Sequence, residues 1–414
     1  MDQKNNQNNQ MQIEVEEEEE NSSQKINYYH NHDVNQKLDS LEGYMHNHRS
    51  QYCKMCKRTS KDIGTNQNNF NLDSCFDTSK IKEESKGYER NQDYYYDSYS
   101  HFNIHEDMLK DKVRTKAYMK SILDNKNLFE GKIVLDIGCG TGILSIFAAK
   151  AGAKHVYGVD NANIIFHAKA IVKNNNLADK ITLIQGKMEE VELPVEKVDI
   201  IISEWMGYFL LYESMLDCVL DARDKYLASD GLMFPNKATM FISSFCNDEI
   251  YNQRFDFWDK VYGVDMSCMK QWVYKEPLVD QADRGTVNGD VVKLIEFDLE
   301  KVKKSELDFV ADYTLKIRRD DYVQGVIIWW DVYFNYCKIP IKLSTSPFAS
   351  ETHWKQTMFF IENEDIPVIK GDTLSGKVAV KKCSKNPRDL DIKIQYKLEN
   401  REIDFDKSFV YKMN

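Results

Sequence analysis

A chain of 414 residues with 42% apolar side chains can build two domains of ordinary size. Its apolar stretches are short and broken by charge, so no membrane-spanning helix is expected, and residues 1–20 are polar and acidic where a signal peptide would be apolar. A net charge of −11 weighs against a phosphate-backbone binder and suits basic partners, although acidity also serves solubility. Nine scattered cysteines without a secretory pattern read as reduced thiols of the cytosol or nucleus.

Residues 1–92 are rich in Asn, Gln, Ser, Asp and Lys, include the acidic run 16–20, and show little apolar periodicity. Such a segment buries too little surface to offset its ordering entropy, and a mostly disordered tail is expected. Within it, His46 and His48 precede Cys53 and Cys56. A Cys-x-x-Cys pair is half of a structural zinc site, but here the histidines come first and no apolar finger core follows, so no bound metal is expected. From 93 to about 127 a tyrosine-rich start gives way to a helical pattern with Leu109, Val113, Ala117 and Ile122 on one face.

Strands near 133–137, 155–159, 181–185 and 198–203 then alternate with helical or loop segments as far as about residue 231. This is the pattern of a parallel doubly wound sheet, an α/β fold that takes its ligand at the carboxyl ends of the strands. The first strand runs through Asp136 into Gly138-Cys139-Gly140-Thr141-Gly142, a tight turn before a helix at 143–150 that ends at Ala151-Gly152, the glycine a C-cap. Glycines there let the backbone approach a ligand closely. The second strand ends in Asp160, where this fold class keeps a carboxylate for ribose hydroxyls. The spacing Gly-x-Gly-x-Gly departs from the dinucleotide Gly-x-Gly-x-x-Gly and favours a nucleoside without a pyrophosphate, such as S-adenosylmethionine; the loop alone leaves a dinucleotide open.

The fourth strand ends in Ser203-Glu204-Trp205-Met206-Gly207-Tyr208, followed by Leu211-Tyr212-Glu213-Ser214-Met215-Leu216. An amphipathic helix then carries Tyr212, Met215, Leu216, Val219, Leu220, Tyr226 and Leu227 at helical spacing. Glu204 and Glu213 bracket a loop that can fold back on itself and bring both carboxylates to one small volume. With no basic residue between them, such a pair wants a cation, and a guanidinium with its fork of donors is the best geometric match.

Phe234-Pro235-Asn236 marks a boundary, beyond which the patterning is that of antiparallel strands. Leu390, Ile392, Ile394, Tyr396 and Leu398 alternate with polar residues, and Ile369-Lys370-Gly371-Asp372 and Ser375-Gly376 read as turns. Residues about 247–282 break the pattern and hold Phe255, Phe257, Trp258, Tyr262 and Trp272 among charges, too many aromatics for an ordinary loop.

The motifs Tyr95-Tyr96-Asp97-Ser98-Tyr99, His105-Glu106-Asp107-Met108-Leu109, Val134 to Gly142, the double-glutamate loop and Thr352-His353-Trp354 follow one another in a recognisable order. From about Tyr94 onward the chain resembles the protein arginine N-methyltransferases, most of all the type I enzymes that form asymmetric dimethylarginine. That resemblance implies a Rossmann-like S-adenosylmethionine-dependent methyltransferase domain at 93–235 and a β-barrel substrate domain at 236–414. It also implies that 247–282 is a helical dimerisation arm docking on a second subunit in a homodimer; the alternative is a local satellite core under the barrel. Glu204 and Glu213 would hold the substrate guanidinium, and His353 with Asp111 would form its proton-acceptor route or, alternatively, fix the N-terminal helices to the barrel. For the donor it assigns His105, Arg114 (to the methionine carboxylate), Asp136, Gly138, Gly140, Thr141, Asp160 (to the ribose), and Met188 with Glu189 (at the adenine edge). Tyr99, Tyr208 and Trp354 would line the substrate pocket, and Met108 and Met215 would crowd it. Two positions depart from the family: Asp160 stands where relatives usually have the longer glutamate, and Cys139 replaces serine. Expected substrates are Gly/Arg-rich proteins and histone tails in nucleus and cytoplasm, with no direct nucleic-acid or membrane partner. An inactive scaffold of the same fold and a small-molecule methyltransferase are the competing readings.

Overall fold

The computed structural model describes residues 92–399 and 404–414. The expected disordered tail, and with it His46, His48, Cys53 and Cys56, lies outside the described residues. The chain opens with helices α1 (Gln92–Ser98), α2 (Phe102–Lys110), α3 (Lys112–Leu123) and α4 (Lys126–Phe129). The single face expected from Leu109 to Ile122 is broken at Asp111, which is extended and accepts the Arg114 N–H at 2.9 Å as the N-cap of α3. The break leaves Leu109 39% exposed while Ala117 and Ile122 remain buried.

Five parallel strands follow: β1 (Ile133–Ile137), β2 (His155–Asp160), β3 (Ile181–Gln185), β4 (Val198–Ser203) and β5 (Leu227–Phe234). They are linked by α5 (Ile143–Lys150), α6 (Ile164–Asn174) and α7 (Met215–Tyr226), and the sheet order is β3-β2-β1-β4-β5. Sequence patterning missed β5 and read Leu227 as helix. The polar Ser229-Asp230-Gly231 interrupts the apolar run, and the β4–β5 register is irregular between Val198 and Ile200. The order reverses between β1 and β4, so the loops leaving those two strands diverge and open a crevice. Register places Ile137 opposite Ser203, and Ser203 Oγ donates to the Ile137 carbonyl at 2.8 Å. The glycine turn and Glu204 therefore leave the sheet side by side.

The C-terminal half is antiparallel. It comprises β6 (Lys237–Phe245), β7 (Leu278–Asp280), β8 (Val292–Asp298), β9 (Phe309–Lys316), β10 (Asp321–Val323), β11 (Gly325–Phe334), β12 (Ile341–Ser344), β13 (Gln356–Phe360), β14 (Ile366–Val368), β15 (Thr373–Lys382), β16 (Leu390–Glu399) and β17 (Asp404–Met413). One sheet runs β7-β13-β11-β6-β8 with β12 on β11, a second β17-β16-β15-β9, and β10 pairs with β14. The two larger sheets share a core and are pinned by the Tyr396 and Tyr411 hydroxyls, which donate to the Phe359 and Phe360 carbonyls at 3.4 and 2.8 Å. β16 follows its sequence pattern, with Leu390, Ile392, Ile394, Tyr396 and Leu398 all buried. Ser375-Gly376, read as a turn, lies inside β15 instead. Gly376 is there because of close packing, since a Cβ at that position would sit 1.9 Å from the Gln395 carbonyl oxygen of β16.

Between β6 and β7 the chain forms α8 (Asp248–Arg254), two short 3₁₀ turns and α9 (Lys270–Val273). Both readings of this segment have a counterpart. Phe255 stacks on Tyr274 at 4.0 Å within a satellite core that includes Phe245 and Phe360, whereas Phe257, Tyr262 and Trp272 face outward, Tyr262 fully. Among the described residues no helix is long and apolar enough to cross a membrane.

The two halves meet along α3, α7 and the β8–β9 connection. Tyr118 packs edge-on against Phe334 at 5.0 Å. Arg223 of α7 is 7% exposed and donates through Nη1 to the carbonyls of Leu299 and Val302, each at 2.8 Å. Removing that donor leaves two buried carbonyls unpaired. Arg223→Ala is therefore expected to destabilise the protein by about 3 kcal/mol, read as a lower urea midpoint; an unchanged midpoint would mean that water replaces the guanidinium at the junction.

Candidate active site

On the crevice side, the ends of β1 to β4 each deliver a chemically useful group. After β1, Gly138, Gly140 and Gly142 take positive φ values of 70°, 52° and 81°, the last beginning α5. Asp160, the last residue of β2, accepts the Gly140 N–H through Oδ2 and the Ala162 N–H through Oδ1, both at 2.8 Å. The shorter acid thus ties the glycine turn to the end of β2, while burial pushes its carboxyl above the usual range. Met188 and Glu189 follow β3 and line the same cavity. From the N-terminal helices come Tyr99, His105, Met108 and Arg114. His105 is buried, its Nε2 lies 2.8 Å from the Tyr99 carbonyl, and burial lowers its pKa, so the ring is neutral near physiological pH.

Asp136 departs from its expected place. It sits in β1 beneath the turn, fully buried, takes a 2.6 Å bond from Ser145 Oγ on α5, and is not among the residues that line the cavity. Burial raises its carboxyl to about 7. It holds the strand to the helix rather than facing the ligand space.

Glu204 and Glu213 both line the cavity, with the Glu204 side chain only 6% exposed. The loop between them folds back through Gly207, whose N–H donates to the Leu210 carbonyl at 3.0 Å. A Cβ on Gly207 would lie 2.1 Å from the Tyr212 carbonyl oxygen, so only glycine allows this approach. Phe209, Leu210, Glu213 and Ser214 all adopt left-handed φ between 50° and 73°. Non-glycine residues hold such conformations only where surrounding contacts impose them.

No basic residue lies between the two glutamates in the sequence, but one reaches them in space: Arg114 comes across from α3 and gives both Nε and Nη2 to Glu204 Oε2 at 2.8 Å, with Nη1 donating to the Met108 carbonyl at 3.2 Å. A guanidinium carries five N–H groups, so one hydrogen on each Nη remains for a ligand carboxylate. Glu213 is held differently, its Oε2 accepting from the Tyr99 hydroxyl at 2.8 Å. Burial, with the Glu204 charge adding to it, raises the Glu213 carboxyl above its ordinary range despite Tyr99 and Arg388. Among the described residues, the bonds to the two glutamate carboxylates go to their Oε2 atoms, leaving the Oε1 atoms to a ligand.

A groove continues from this cavity past Tyr99, Met108, Asp111, Tyr208, His353 and Trp354. The loop between β12 and β13 brings in the last two. His353 Nδ1 lies 2.7 Å from Asp111 Oδ2, which also accepts the His353 N–H at 3.0 Å, and Trp354 Nε1 donates to the Met206 carbonyl at 2.8 Å. Burial alone would raise the Asp111 carboxyl, but the bonds from His353 and the Arg114 N–H outweigh it and hold the pKa below its ordinary value. The groove also carries Asp107 and Glu351; of its lysines, Lys110 and Lys355 are paired with Glu106 and Asp280 at 2.6 and 2.7 Å, and Lys112 lines it as well. Tyr95, Tyr96 and Arg388 also line the cavity. The two tyrosines belong to the motif Tyr95 to Tyr99, but nothing local in the sequence marks Arg388. Among the described residues no group of three or more His, Cys, Asp or Glu is placed to hold a metal ion.

A glycine turn after β1, an acid at the end of β2 and a neutral histidine over the turn suit an adenosyl group, and an arginine with two spare hydrogens beside it suits an amino-acid carboxylate. Fold and cavity together define a Rossmann-like methyl-donor-dependent transferase. Residues 236–401 match the family described as "Arginine methyltransferase oligomerization subdomain", and 114–218 match "Ribosomal protein L11 methyltransferase (PrmA)". The chain is 53% identical to protein arginine N-methyltransferase 1 of Schizosaccharomyces pombe, over 75% of its own length and 91% of the relative's. It is 50% identical to the Chlamydomonas reinhardtii protein of the same name, over 78% and 93%. Among solved structures, the Trypanosoma brucei PRMT1 enzyme-prozyme heterotetrameric complex with AdoHcy is 41% identical, has a TM-score of 0.74, and covers 77% of this chain and 100% of that one. The chain belongs to the protein arginine N-methyltransferase family, in its type I group, and is an S-adenosylmethionine-dependent enzyme that methylates arginine in proteins.

The Tyr99 bond lowers the Glu213 pKa, so its loss raises it further. Tyr99→Phe should therefore move the acid limb of kcat/KM to higher pH, with about a ten-fold loss of rate on the acid side of neutrality. A pH–rate profile that superimposes on the wild-type profile would show that Glu213 does not govern that limb.

Proposed function

We propose that the enzyme forms mono- and then asymmetric dimethylarginine on Gly/Arg-rich proteins and histone tails, with Glu204 and Glu213 as the clamp for the substrate guanidinium. The observation that carries this reading is the placement of both carboxylates on the cavity that also holds the glycine turn. When bound, S-adenosylmethionine supplies a sulfonium methyl whose bond to sulfur breaks as an arginine nitrogen attacks.

Glu204 and Glu213 offer their Oε1 atoms to the planar fork and aim one terminal nitrogen at the methyl carbon. They also offset the repulsion between two cations by a field in place before reaction. Their tasks differ. Glu204 is already paired with Arg114, whereas Glu213 is held through its carboxylate by the neutral Tyr99 hydroxyl. Arg114 would use its remaining hydrogens for the donor carboxylate, Asp160 would hold the ribose, and Glu189 beside Met188 would meet the adenine edge. The methylated guanidinium then loses a proton. His353, held through Nδ1 by Asp111, presents Nε2 as its acceptor. Met108 and Met215 narrow the space around the attacking nitrogen, and with Tyr99, Tyr208 and Trp354 they shape the entrance. The Asp107 and Glu351 carboxylates along the groove suit a basic peptide.

The acid clamp predicts unequal lesions. Glu213→Gln should lower kcat on the order of 100-fold while S-adenosylhomocysteine binding, measured by calorimetry, is retained. Glu204→Gln should lower kcat and also weaken that binding by about ten-fold, because it releases Arg114. Near-normal turnover of Glu213→Gln with a Gly-Arg peptide would sink the clamp. An inactive scaffold would methylate no peptide at all, and its lack of need for Glu204, Glu213, Arg114 and His353 together counts against it.

The outward aromatics Phe257, Tyr262 and Trp272 support a homodimer in which this arm docks on the donor-binding domain of a second copy, where Phe166 of α6 is also 57% exposed. Light scattering of Tyr262→Asp/Trp272→Asp should report a monomer where the wild type is a dimer; an unchanged mass would exclude the arm. Residence in nucleus and cytoplasm, without direct binding to nucleic acid or membrane, fits the acidic charge of the chain.

A further inference from the structure

Arg388 occupies the turn between β15 and β16, and its guanidinium reaches partners far away in sequence. Its guanidinium carbon lies 3.7 Å from the centre of the Tyr95 ring and 5.3 Å from that of Tyr96. Nη2 donates to the Tyr96 hydroxyl at 3.3 Å, and Nη1 donates to the Glu213 carbonyl at 2.7 Å. The Glu213 N–H donates in return to the Arg388 carbonyl at 2.8 Å, and Ser214 Oγ donates to the Pro387 carbonyl. One side chain therefore grips two things at once: the tyrosines by which α1 covers the donor cavity, and the main chain of the second glutamate.

We infer that Arg388 is a positioning residue that couples closure of α1 over the methyl donor to the placement of Glu213. The inference rests on the methyltransferase reading of the site and adds a residue to it. Helix α1 is only seven residues long, too short to persist without tertiary contacts. Contacts of α1 and of the turn that follows it include the Arg388 stack, the Tyr99–Glu213 bond and the Asn163 N–H to Ser100 Oγ bond at 3.1 Å. Glu213, with φ at 73°, depends equally on outside bonds for its conformation, and its main-chain N–H and carbonyl both go to Arg388. Opening α1 removes the aromatic faces against which the guanidinium lies flat, and the grip on Glu213 loosens with it. The clamp is thereby set when the donor is enclosed, and the guanidinium substrate meets an ordered anion.

Arg388 also contributes charge. Among the described residues, the groups facing Glu213 include Tyr99, Tyr95 and Tyr208, the Glu204 carboxylate and the Arg388 cation. Its positive charge lowers the Glu213 pKa, so neutralising it moves that value up.

The test compares full-length Arg388→Ala, Arg388→Lys, Tyr95→Leu and the Arg388→Ala/Tyr95→Leu double variant with the wild type. The readouts are S-adenosylhomocysteine binding by calorimetry, kcat and KM with a Gly-Arg peptide, and the pH profile of kcat. Arg388→Ala should weaken nucleoside binding about ten-fold, lower kcat at least as much, and shift the acid limb to higher pH. Arg388→Lys keeps the charge but cannot lie flat and bridge, so its acid limb should stay near the wild-type position while nucleoside binding still weakens. Tyr95→Leu should reproduce the binding loss, and the double variant should lose little more than either single one. Variants that fold less well yet bind and titrate like the wild type per folded molecule would overturn the coupling, as would fully additive losses in the double variant. If Arg388→Ala does not fold, Arg388→Lys and Tyr95→Leu decide the matter alone. A wild type that binds the nucleoside but methylates no peptide would indict the activity, whereas the binding comparison still judges the latch.

Discussion

Two negative charges held together in a half-enclosed pocket repel each other, and most of the architecture around Glu204 and Glu213 answers that repulsion. Arg114 takes one oxygen of Glu204 with two donors, and the Tyr99 hydroxyl takes one oxygen of Glu213. The loop and its far end hold four non-glycine residues, Phe209, Leu210, Glu213 and Ser214, in left-handed backbone conformations. Neighbouring elements keep it there: α3 through Arg114, the N-terminal segment through Tyr99, and the β15–β16 turn through Arg388. Burial still leaves Glu213 harder to ionise than a free glutamate. The protein thus keeps an unfavourable arrangement standing until a guanidinium arrives to relieve it, which is the sense in which the site is complementary to the reaction rather than to itself.

The same constraint explains why the site draws on the whole chain. Strand ends of the parallel sheet bring the glycine turn and Glu204 together because the strand order reverses between β1 and β4. The N-terminal helices supply the covering tyrosines, His105 and Arg114, and two turns of the antiparallel half supply His353, Trp354 and Arg388. A clamp for a cation that must also meet a second cation cannot be open to water on all sides, since solvent would screen the field it depends on. Enclosing it takes elements from both halves, and the buried Arg223 bridge is one of the bonds that keeps those halves in register.

How much of this was legible in the sequence depended on how local the signal was. The turn from Gly138 to Gly142 follows a buried strand directly, and the alternation along β16 repeats within ten residues, so both could be read from pattern alone. The double-glutamate loop was legible as two acids flanking a fold-back, though not as an acid already paired to Arg114, whose position lies 90 residues away. The helix break at Asp111 escaped notice because a capping aspartate beside apolar spacing looks like one more polar residue on a helix face. Ser375-Gly376 looked like a turn because glycine more often signals backbone freedom than tight packing between strands. Arg388 was invisible: its partners stand 175 and 292 residues upstream, and a turn reading Asn386-Pro387-Arg388-Asp389 signals only a turn.

Asp111 illustrates what such economy implies. Its Oδ1 begins α3, the helix that carries Arg114, and its Oδ2 orients His353 through both ring and main chain. Asparagine would preserve the helix start but forfeit the anion behind the imidazole, while glutamate would keep the anion on a stem too long to reach the first turn. Drift at this position is therefore blocked from two directions, one mechanical and one chemical, and neither neighbour can be re-tuned without disturbing the other.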